Sequence, residues 1–160
     1  MYIQARTGEE LEEELLRGSI KANTEGSEFK RKHKGGGKPL KRGYVDFEKS
    51  LMIAKSHQPW GHNPRRPRAP FLREMYDCIA PLLKKGRHYL RVFIAVKTPL
   101  DFWHGVDFFF EYEGNIVTVD VTLKPGKDFY KAKILITSND ILRNKHHRKA
   151  QEIARLLQEA

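Results

Sequence analysis

The chain has 160 residues, with 30 Lys and Arg against 20 Asp and Glu, so its formal net charge is +10. This length allows one ordinary domain with a single hydrophobic core and an appended segment. The excess of positive charge indicates a polyanionic partner, and nucleic acid is the first candidate, although a membrane-surface protein would share this charge.

The number of cysteines and the hydropathy of the chain indicate the compartment in which the protein functions. Cys78 is the only cysteine, which excludes an intrachain disulfide and fits a reducing compartment. It lies in an apolar helical pattern, which favours simple burial. No stretch approaches the ~20 apolar residues of a membrane helix, and the N-terminus lacks the features of a signal peptide. We therefore expect a cytoplasmic protein with no membrane partner.

Residues 1–69 are predicted to form an N-terminal region that is partly helical, flexible and basic. Thr7 to Gly18 carries a capping-box signature and an acidic face, which predicts a helix. This helix would either be solvated or contact a second subunit in a homodimer. Ser19 to Arg42 has no periodicity and contains a basic run. Its Lys32 and Lys34 are candidate contacts to nucleic-acid phosphates. A solubilising linker is the alternative.

The second half of this region contains a short helix and a connector. The apolar spacing predicts a helix over Val45 to Lys55. Four prolines between Ser56 and Pro70 predict an irregular connector. Its Arg65 and Arg66 are candidate contacts to a nucleic-acid backbone, and Trp60 could stack on an unpaired base or pack over the domain.

Residues 70–160 are predicted to form the core domain. Phe71 to Lys85 has a helical apolar stripe that Pro70 opens and Pro81 would kink. His88 to Lys97 is rich in Val, Ile and Phe and predicts the first strand, and Thr98 to His104 is predicted to be a loop.

The C-terminal part of the core is predicted to contain a strand and a long helix. Lys131 to Thr137 predicts the fourth strand, and Ser138 to Ala160 begins with capping residues and continues with a helical pattern. The middle of this helix is strongly basic. Its candidate nucleic-acid contacts are Arg143, Arg148 and Lys149.

The stretch from Gly105 to Lys124 predicts a hairpin of two strands. Gly114-Asn115 suits the two-residue loop, in which case Asp107 lies opposite Thr122 and beside Asp120. A register shifted by two residues would place Asp107 directly opposite Asp120. Side chains alternate between the faces of a strand, so both registers put the two aspartates on one face with Thr122.

Two neighbouring carboxylates suggest a site for a hard divalent cation. Mg²⁺ prefers oxygen ligands and often takes one or two carboxylates together with water and substrate phosphates. The candidate metal ligands are therefore Asp107 and Asp120, and the cofactor would be Mg²⁺ or Mn²⁺. The alternative is a solvated acidic sheet face.

This arrangement resembles the PD-(D/E)XK, or restriction-endonuclease-like, nuclease superfamily, over Pro70 to about Thr137. The resemblance carries Asp107 onto the first acidic position and Asp120 onto the second. The lysine of the family would stand at position 122, where this chain has Thr122, and Lys124 lies further along the same face. In the family a helix before the first core strand sometimes adds a carboxylate, for which Glu74 is the candidate.

The resemblance implies an α/β (α+β) fold with a restriction-endonuclease-like core. Its mixed, mostly antiparallel four-stranded sheet would be flanked by helices. The family usually has a helix between its third and fourth strands. Only Pro125 to Tyr130 is available for it here, which implies a trimmed variant with an antiparallel fourth strand.

The function that the resemblance implies is a metal-dependent endonuclease acting on a phosphodiester backbone of DNA or RNA. Asp107 and Asp120 would hold the metal, and Lys124 would supply positive charge. Two alternatives stay open. One is a nucleic-acid-binding protein on the same fold without catalysis, and the other is a structural or assembly protein.

Overall fold

The computed structural model describes residues 43–123, 131–142 and 146–159, and the side chain of Leu142 is outside that description. Four predicted features therefore lie outside the described residues: the helix at Thr7 to Gly18, the basic run with Lys32 and Lys34, Lys124, and Arg143. Within the described residues, none of the helices is long and apolar enough to cross a membrane.

The described chain forms a four-stranded sheet with helices on both faces. The helices are α1 Phe47–Ser56, α2 Pro70–Ile79, α3 Pro99–His104, α4 Ser138–Leu142 and α5 His146–Gln158. The strands are β1 Leu90–Ile94, β2 Phe108–Tyr112, β3 Asn115–Thr122 and β4 Ile134–Thr137. Short 3-10 turns cover Ala80–Leu82 and Arg87–Tyr89.

The sheet is mixed, as predicted, with strand order β1-β2-β3-β4. β1 and β2 pair antiparallel, β2 and β3 also pair antiparallel, and β3 pairs parallel with β4. The prediction of an antiparallel fourth strand is therefore wrong. β4 begins at Ile134 rather than Lys131 and lies beside Val119 to Thr122, running in the same direction as β3.

The hairpin between β2 and β3 turns one residue earlier than predicted. Tyr112 pairs with Asn115, so the loop is Glu113-Gly114. Both loop residues have positive φ, 50° and 84°, as a type I′ turn requires. Glycine supplies this conformation at the second position without strain, and Glu113 adopts it at the first. The pairing consequently shifts by two residues from the predicted register.

Three other predicted elements differ from the structure. Thr98 to His104 is not a loop, because Pro99 starts α3 and Gly105 ends it with a left-handed φ of 64°. One and a half helical turns are too short to show a periodic pattern. The predicted long C-terminal helix is instead two helices, α4 and α5, with residues 143–145 between them outside the described residues. Pro81 ends α2 rather than kinking a longer helix.

Each face of the sheet buries a separate hydrophobic cluster. The larger cluster joins the sheet to α2 and α5 and includes Phe71, Leu72, Met75, Ile153, Leu157, Phe108, Phe110, Val117, Val119, Val121, Ile134 and Ile136. The smaller cluster joins the other face to α1 and α3 through Leu51, Ala54, Leu100, Phe93 and Phe109. Because α1 packs on the sheet, residues 47–56 share the core with residues after 70. The boundary at residue 69 stays a prediction.

The outer edge of β1 is covered by the connector that follows α1. The Gln58 side-chain amide donates to the Ile94 carbonyl and accepts from the Ile94 N–H, each at 2.9 Å. His62 Nε2 lies 2.8 Å from the Val92 carbonyl, and the Val92 N–H donates to Pro64 O at 2.9 Å. These contacts satisfy backbone groups that an open edge strand would offer to another chain.

Candidate functional site

Asp107 and Asp120 meet at the same end of the β2-β3 hairpin. Phe108 pairs with Val119, so the next residue outward on each strand is one of the two aspartates. This is the register, shifted by two residues, that places Asp107 opposite Asp120. The register therefore places the two acidic residues at opposite positions of neighbouring strands.

The Asp107 carboxylate is fixed against the backbone of β3. Its Oδ2 accepts a hydrogen bond of 2.7 Å from the N–H of Val121, the residue next to Asp120. Asp107 precedes β2, and its carbonyl accepts from the N–H groups of both Ala95 and Val96, at 2.8 and 3.1 Å. Because two N–H groups share the Asp107 carbonyl, the pairing is irregular here, and the Asp107 side chain points toward β3. Asp107 is only 2% exposed.

Asp120 and Thr122 lie on the sheet face opposite the larger cluster. They alternate along β3 with Val119 and Val121, which face α2 and α5. Asp120 is 9% exposed and Thr122 is 7% exposed. Their partners in β4 are Leu135 and Thr137. Val106 departs from the predicted alternation, because it precedes β2 and packs in the smaller cluster.

This arrangement has the chemistry of a small hard-cation site. An ionised carboxylate offers two oxygens with about four acceptor positions, so a carboxylate can accept a backbone hydrogen bond and ligate a metal at the same time. Burial makes each carboxylate costly unless a cation or hydrogen-bond donors compensate its charge. Two carboxylates at one strand end fit Mg²⁺ or Mn²⁺, which would complete their coordination with water and phosphate oxygens.

The other predicted site residues are placed differently. Glu74 lies on α2, in the helix layer on the opposite side of the sheet, and its Oε1 is 2.9 Å from His146 Nε2 of α5. The structure therefore does not bring Glu74 to the aspartates. Thr122 follows Asp120 on the same face, whereas Lys124 lies outside the described residues.

The comparisons with known proteins add no family. No protein-family model, curated protein or solved structure matches the chain. The resemblance to the nuclease superfamily rests on Asp107, Asp120 and their neighbours, and it enters the functional argument as a proposal.

The connector after α1 presents basic and aromatic side chains to solvent. Arg65 and Arg66 are exposed, and Trp60 is 84% exposed rather than packed over the domain. The backbone of this segment is ordered by turns, because the N–H groups of Arg65 and Arg66 donate to the side chain and carbonyl of Asn63, each at 3.0 Å. An exposed indole beside arginines is suited to bind an unpaired base and its phosphates.

Only part of the basic segment at the start of α5 is exposed to solvent. Arg148 is exposed and Lys149 is half-buried on α5, but His146 is buried and paired with Glu74. His146 is therefore not part of the exposed basic surface of α5. It meets Cys78 and His147 instead, a grouping that the sequence reasoning missed.

We predict that His62 makes the stability of the protein pH-dependent. Burial lowers the pKa of His62 below its ordinary value of 6.5, and the hydrogen bond to the Val92 carbonyl only partly opposes this. Within the described residues, its buried Nδ1 has no hydrogen-bond partner, so a second proton there would be unsatisfied. The unfolded chain therefore binds the proton more readily. Stability should be complete above pH 6.5 and should fall as the pH drops from there through the folded pKa.

The measurement is the urea midpoint of unfolding at about pH 7.5 and about pH 5. His62→Gln should lose part of the acid-induced drop in the midpoint, because glutamine can still donate to Val92 but does not titrate. His88→Gln, at an exposed histidine, is the control and should keep the whole drop. Identical pH profiles for the wild type and His62→Gln would show that His62 does not carry this dependence.

Proposed function

We propose that the protein is a metal-dependent nuclease that cleaves a phosphodiester backbone of DNA or RNA, on a restriction-endonuclease-like core. The observation that carries the proposal is the juxtaposition of Asp107 and Asp120 at one end of the β2-β3 hairpin. The mixed sheet between two helix layers and the net charge of +10 support it.

In this proposal the two aspartates hold and position the metal. When bound, Mg²⁺ or Mn²⁺ would lower the pKa of a coordinated water and offset negative charge on the phosphate. Asp107 is oriented by the Val121 N–H, and Asp120 is held by the paired backbone of β3. Ligands fixed on strands lose little freedom on binding, which favours a preorganised site.

Thr122 stands at the position where the resembled family has its lysine. Thr122 can offer a hydroxyl to a bound water, but it carries no charge. We propose that Lys124, two residues later in the sequence, supplies the positive charge. Its long flexible stem suits this role.

The experiment that tests the proposed activity is a cleavage assay on end-labelled single- and double-stranded DNA and RNA. Wild-type protein is incubated with Mg²⁺, with Mn²⁺ or with EDTA. We expect metal-dependent cutting of at least one substrate and none in EDTA. If no substrate is cut in either metal while the folded protein still binds nucleic acid, the non-catalytic alternative replaces the nuclease.

The exposed Trp60, Arg65 and Arg66 favour that alternative, nucleic-acid binding without cleavage, as the second candidate. Both functions require phosphate contacts, so the binding surface can be tested independently of catalysis. The seven candidate contacts are Lys32, Lys34, Arg65, Arg66, Arg143, Arg148 and Lys149.

We predict that neutralising the arginines of the connector weakens binding and flattens its salt dependence. Each lost phosphate contact lowers the slope of log K against log salt by about 0.9 for duplex DNA, so Arg65→Gln with Arg66→Gln should remove about 2. Lys32→Gln with Lys34→Gln and Arg148→Gln with Lys149→Gln are tested in the same way. The measurement is fluorescence anisotropy of a labelled oligonucleotide over a salt series.

Two control variants sharpen this test. Arg155→Gln removes a cation that is paired with Glu159 on α5 and should leave the slope unchanged. Trp60→Ala should weaken binding to a single strand without changing the slope, because stacking releases no counterions. Equal slopes for the wild type and all three double variants would show that these side chains do not contact phosphates and only solvate the surface.

A further inference from the structure

A second group of metal-ligating side chains lies where α2 meets α5. Cys78, His146 and His147 each offer one ligand atom, and these three atoms lie within 4.8 Å of one another. Cys78 Sγ is 3.5 Å from His147 Nδ1, and the two imidazole rings have their centroids 4.5 Å apart. Adjacent histidines on a helix face different directions, so their spacing in the sequence makes them poor joint ligands. Here the two rings lie close together, and Cys78 of α2 supplies the third ligand.

A carboxylate stands beside this cluster. Glu74 precedes Cys78 by one helical turn on α2, so the two residues share a face of the helix. Glu74 Oε1 is 2.9 Å from Nε2 of His146, which is buried. A carboxylate that holds a histidine ring is the usual neighbour of a metal-bound imidazole, because it fixes the ring orientation and makes the nitrogen more basic. The same carboxylate could also complete a set of four ligands.

We propose that Cys78, His146 and His147 form a transition-metal site, with Zn²⁺ as the ion that their chemistry favours. A thiolate and two imidazoles suit a borderline-soft ion and do not suit Mg²⁺, which prefers oxygen ligands. Three protein ligands leave a fourth position for water or Glu74. On binding, the Cys78 thiol gives its proton to solvent and the sulfur lone pair goes to the metal.

This site is separate from the pair Asp107 and Asp120. The cysteine and histidines belong to the helix layer formed by α2 and α5, whereas Asp120 faces the opposite side of the sheet. The ion would add a further link between two helices that already meet through apolar contacts and through the Glu74–His146 pair. Metal binding should therefore stabilise the folded chain, as any ligand specific to the native state does.

The probe is Co²⁺, whose thiolate complexes absorb in the near ultraviolet and whose tetrahedral complexes absorb in the visible. The full-length chain, freed of metal with a chelator and then dialysed, is titrated with Co²⁺ alone and then with Zn²⁺. We expect one equivalent of Co²⁺ to produce the thiolate charge-transfer band and one equivalent of Zn²⁺ to remove it. Zn²⁺ should also raise the Tm of the wild type.

Three variants decide whether the proposed ligands are correct. Cys78→Ser should abolish the charge-transfer band, and His147→Gln, at an exposed side chain that carries little folding risk, should weaken Co²⁺ binding at least about tenfold. His88→Gln, outside the cluster, should bind Co²⁺ like the wild type. Absence of the thiolate band in the wild type, or unchanged affinity in His147→Gln, would overturn the proposal.

The outcome is independent of the nuclease proposal. Cys78→Ser and His147→Gln should cut nucleic acid as the wild type does, because neither residue lies on the face of Asp120. Loss of cutting in either variant, with folding intact, would contradict the separation of the two sites.

Discussion

Asp107→Asn and Asp120→Asn should each abolish metal-dependent cleavage while the protein stays folded. Each variant removes one negative ligand from a site that has two described carboxylates. A catalytic metal contributes several kcal/mol, and about 1.4 kcal/mol corresponds to tenfold in rate. We therefore expect kcat/KM to fall at least about a hundredfold, measured in the cleavage assay with Mg²⁺ and with Mn²⁺.

The fold should tolerate both changes. The asparagine amide oxygen at position 107 can still accept the hydrogen bond from Val121 N–H. Asp77→Asn, at an exposed carboxylate on α2, is the matched control and should cut normally. Normal cutting by both site variants would mean that the nuclease site lies elsewhere.

Phe109→Ala should cost about 3–5 kcal/mol of unfolding free energy. Phe109 is completely buried in the smaller cluster and stacks on Phe93, with ring centroids 5.2 Å apart. Its removal leaves a cavity between the sheet and the layer formed by α1 and α3. Because small domains are stable by only about 5–15 kcal/mol, this loss should be visible as a large fall in the urea midpoint.

Two variants calibrate that loss. Phe109→Leu keeps most of the volume and should lose much less stability than the alanine variant. Met52→Ala truncates a side chain of α1 that is 71% exposed and should stay within about 0.5 kcal/mol of the wild type. If Phe109→Ala were as stable as Met52→Ala, α1 and α3 would not form a packed layer with the sheet.

Period-two alternation made the hairpin predictable. It separated Phe108, Phe110 and Val119 from Asp120 and Thr122, and the structure confirms this division for both strands. Alternation is insensitive to a shift of two residues, so it could not choose between the two registers. The deciding feature is local, because Glu113-Gly114 takes the two positive φ values of the turn.

Contacts between segments that are far apart in the chain could not be predicted from the sequence. The parallel pairing of β4 depends on where that strand begins after its connection. The convergence of Cys78 with His147 depends on the packing of α2 against α5, although the one-turn spacing of Glu74 and Cys78 was visible. Gln58 and His62 bind the edge of β1 across about thirty residues of chain, and an irregular connector carries no periodic signal for such contacts.

The two proposed metal sites differ in chemistry, which complicates the use of chelators. EDTA would remove a hard cation from Asp107 and Asp120 as well as a softer ion from Cys78 and the histidines. Inhibition by EDTA therefore does not by itself locate the catalytic metal. Restoring Mn²⁺ after chelation, with Cys78→Ser as the protein, assigns the activity to the aspartates because the thiolate site is then lost.

In the proposed function, Asp107 and Asp120 share a divalent cation. The most direct measurement is the anomalous difference density of a crystal soaked in Mn²⁺, with an Asp120→Asn crystal soaked in the same solution. We expect a peak in contact with carboxylate oxygens of both aspartates in the wild type and its loss in the variant. A well-ordered wild-type crystal with no peak between Asp107 and Asp120 would contradict it.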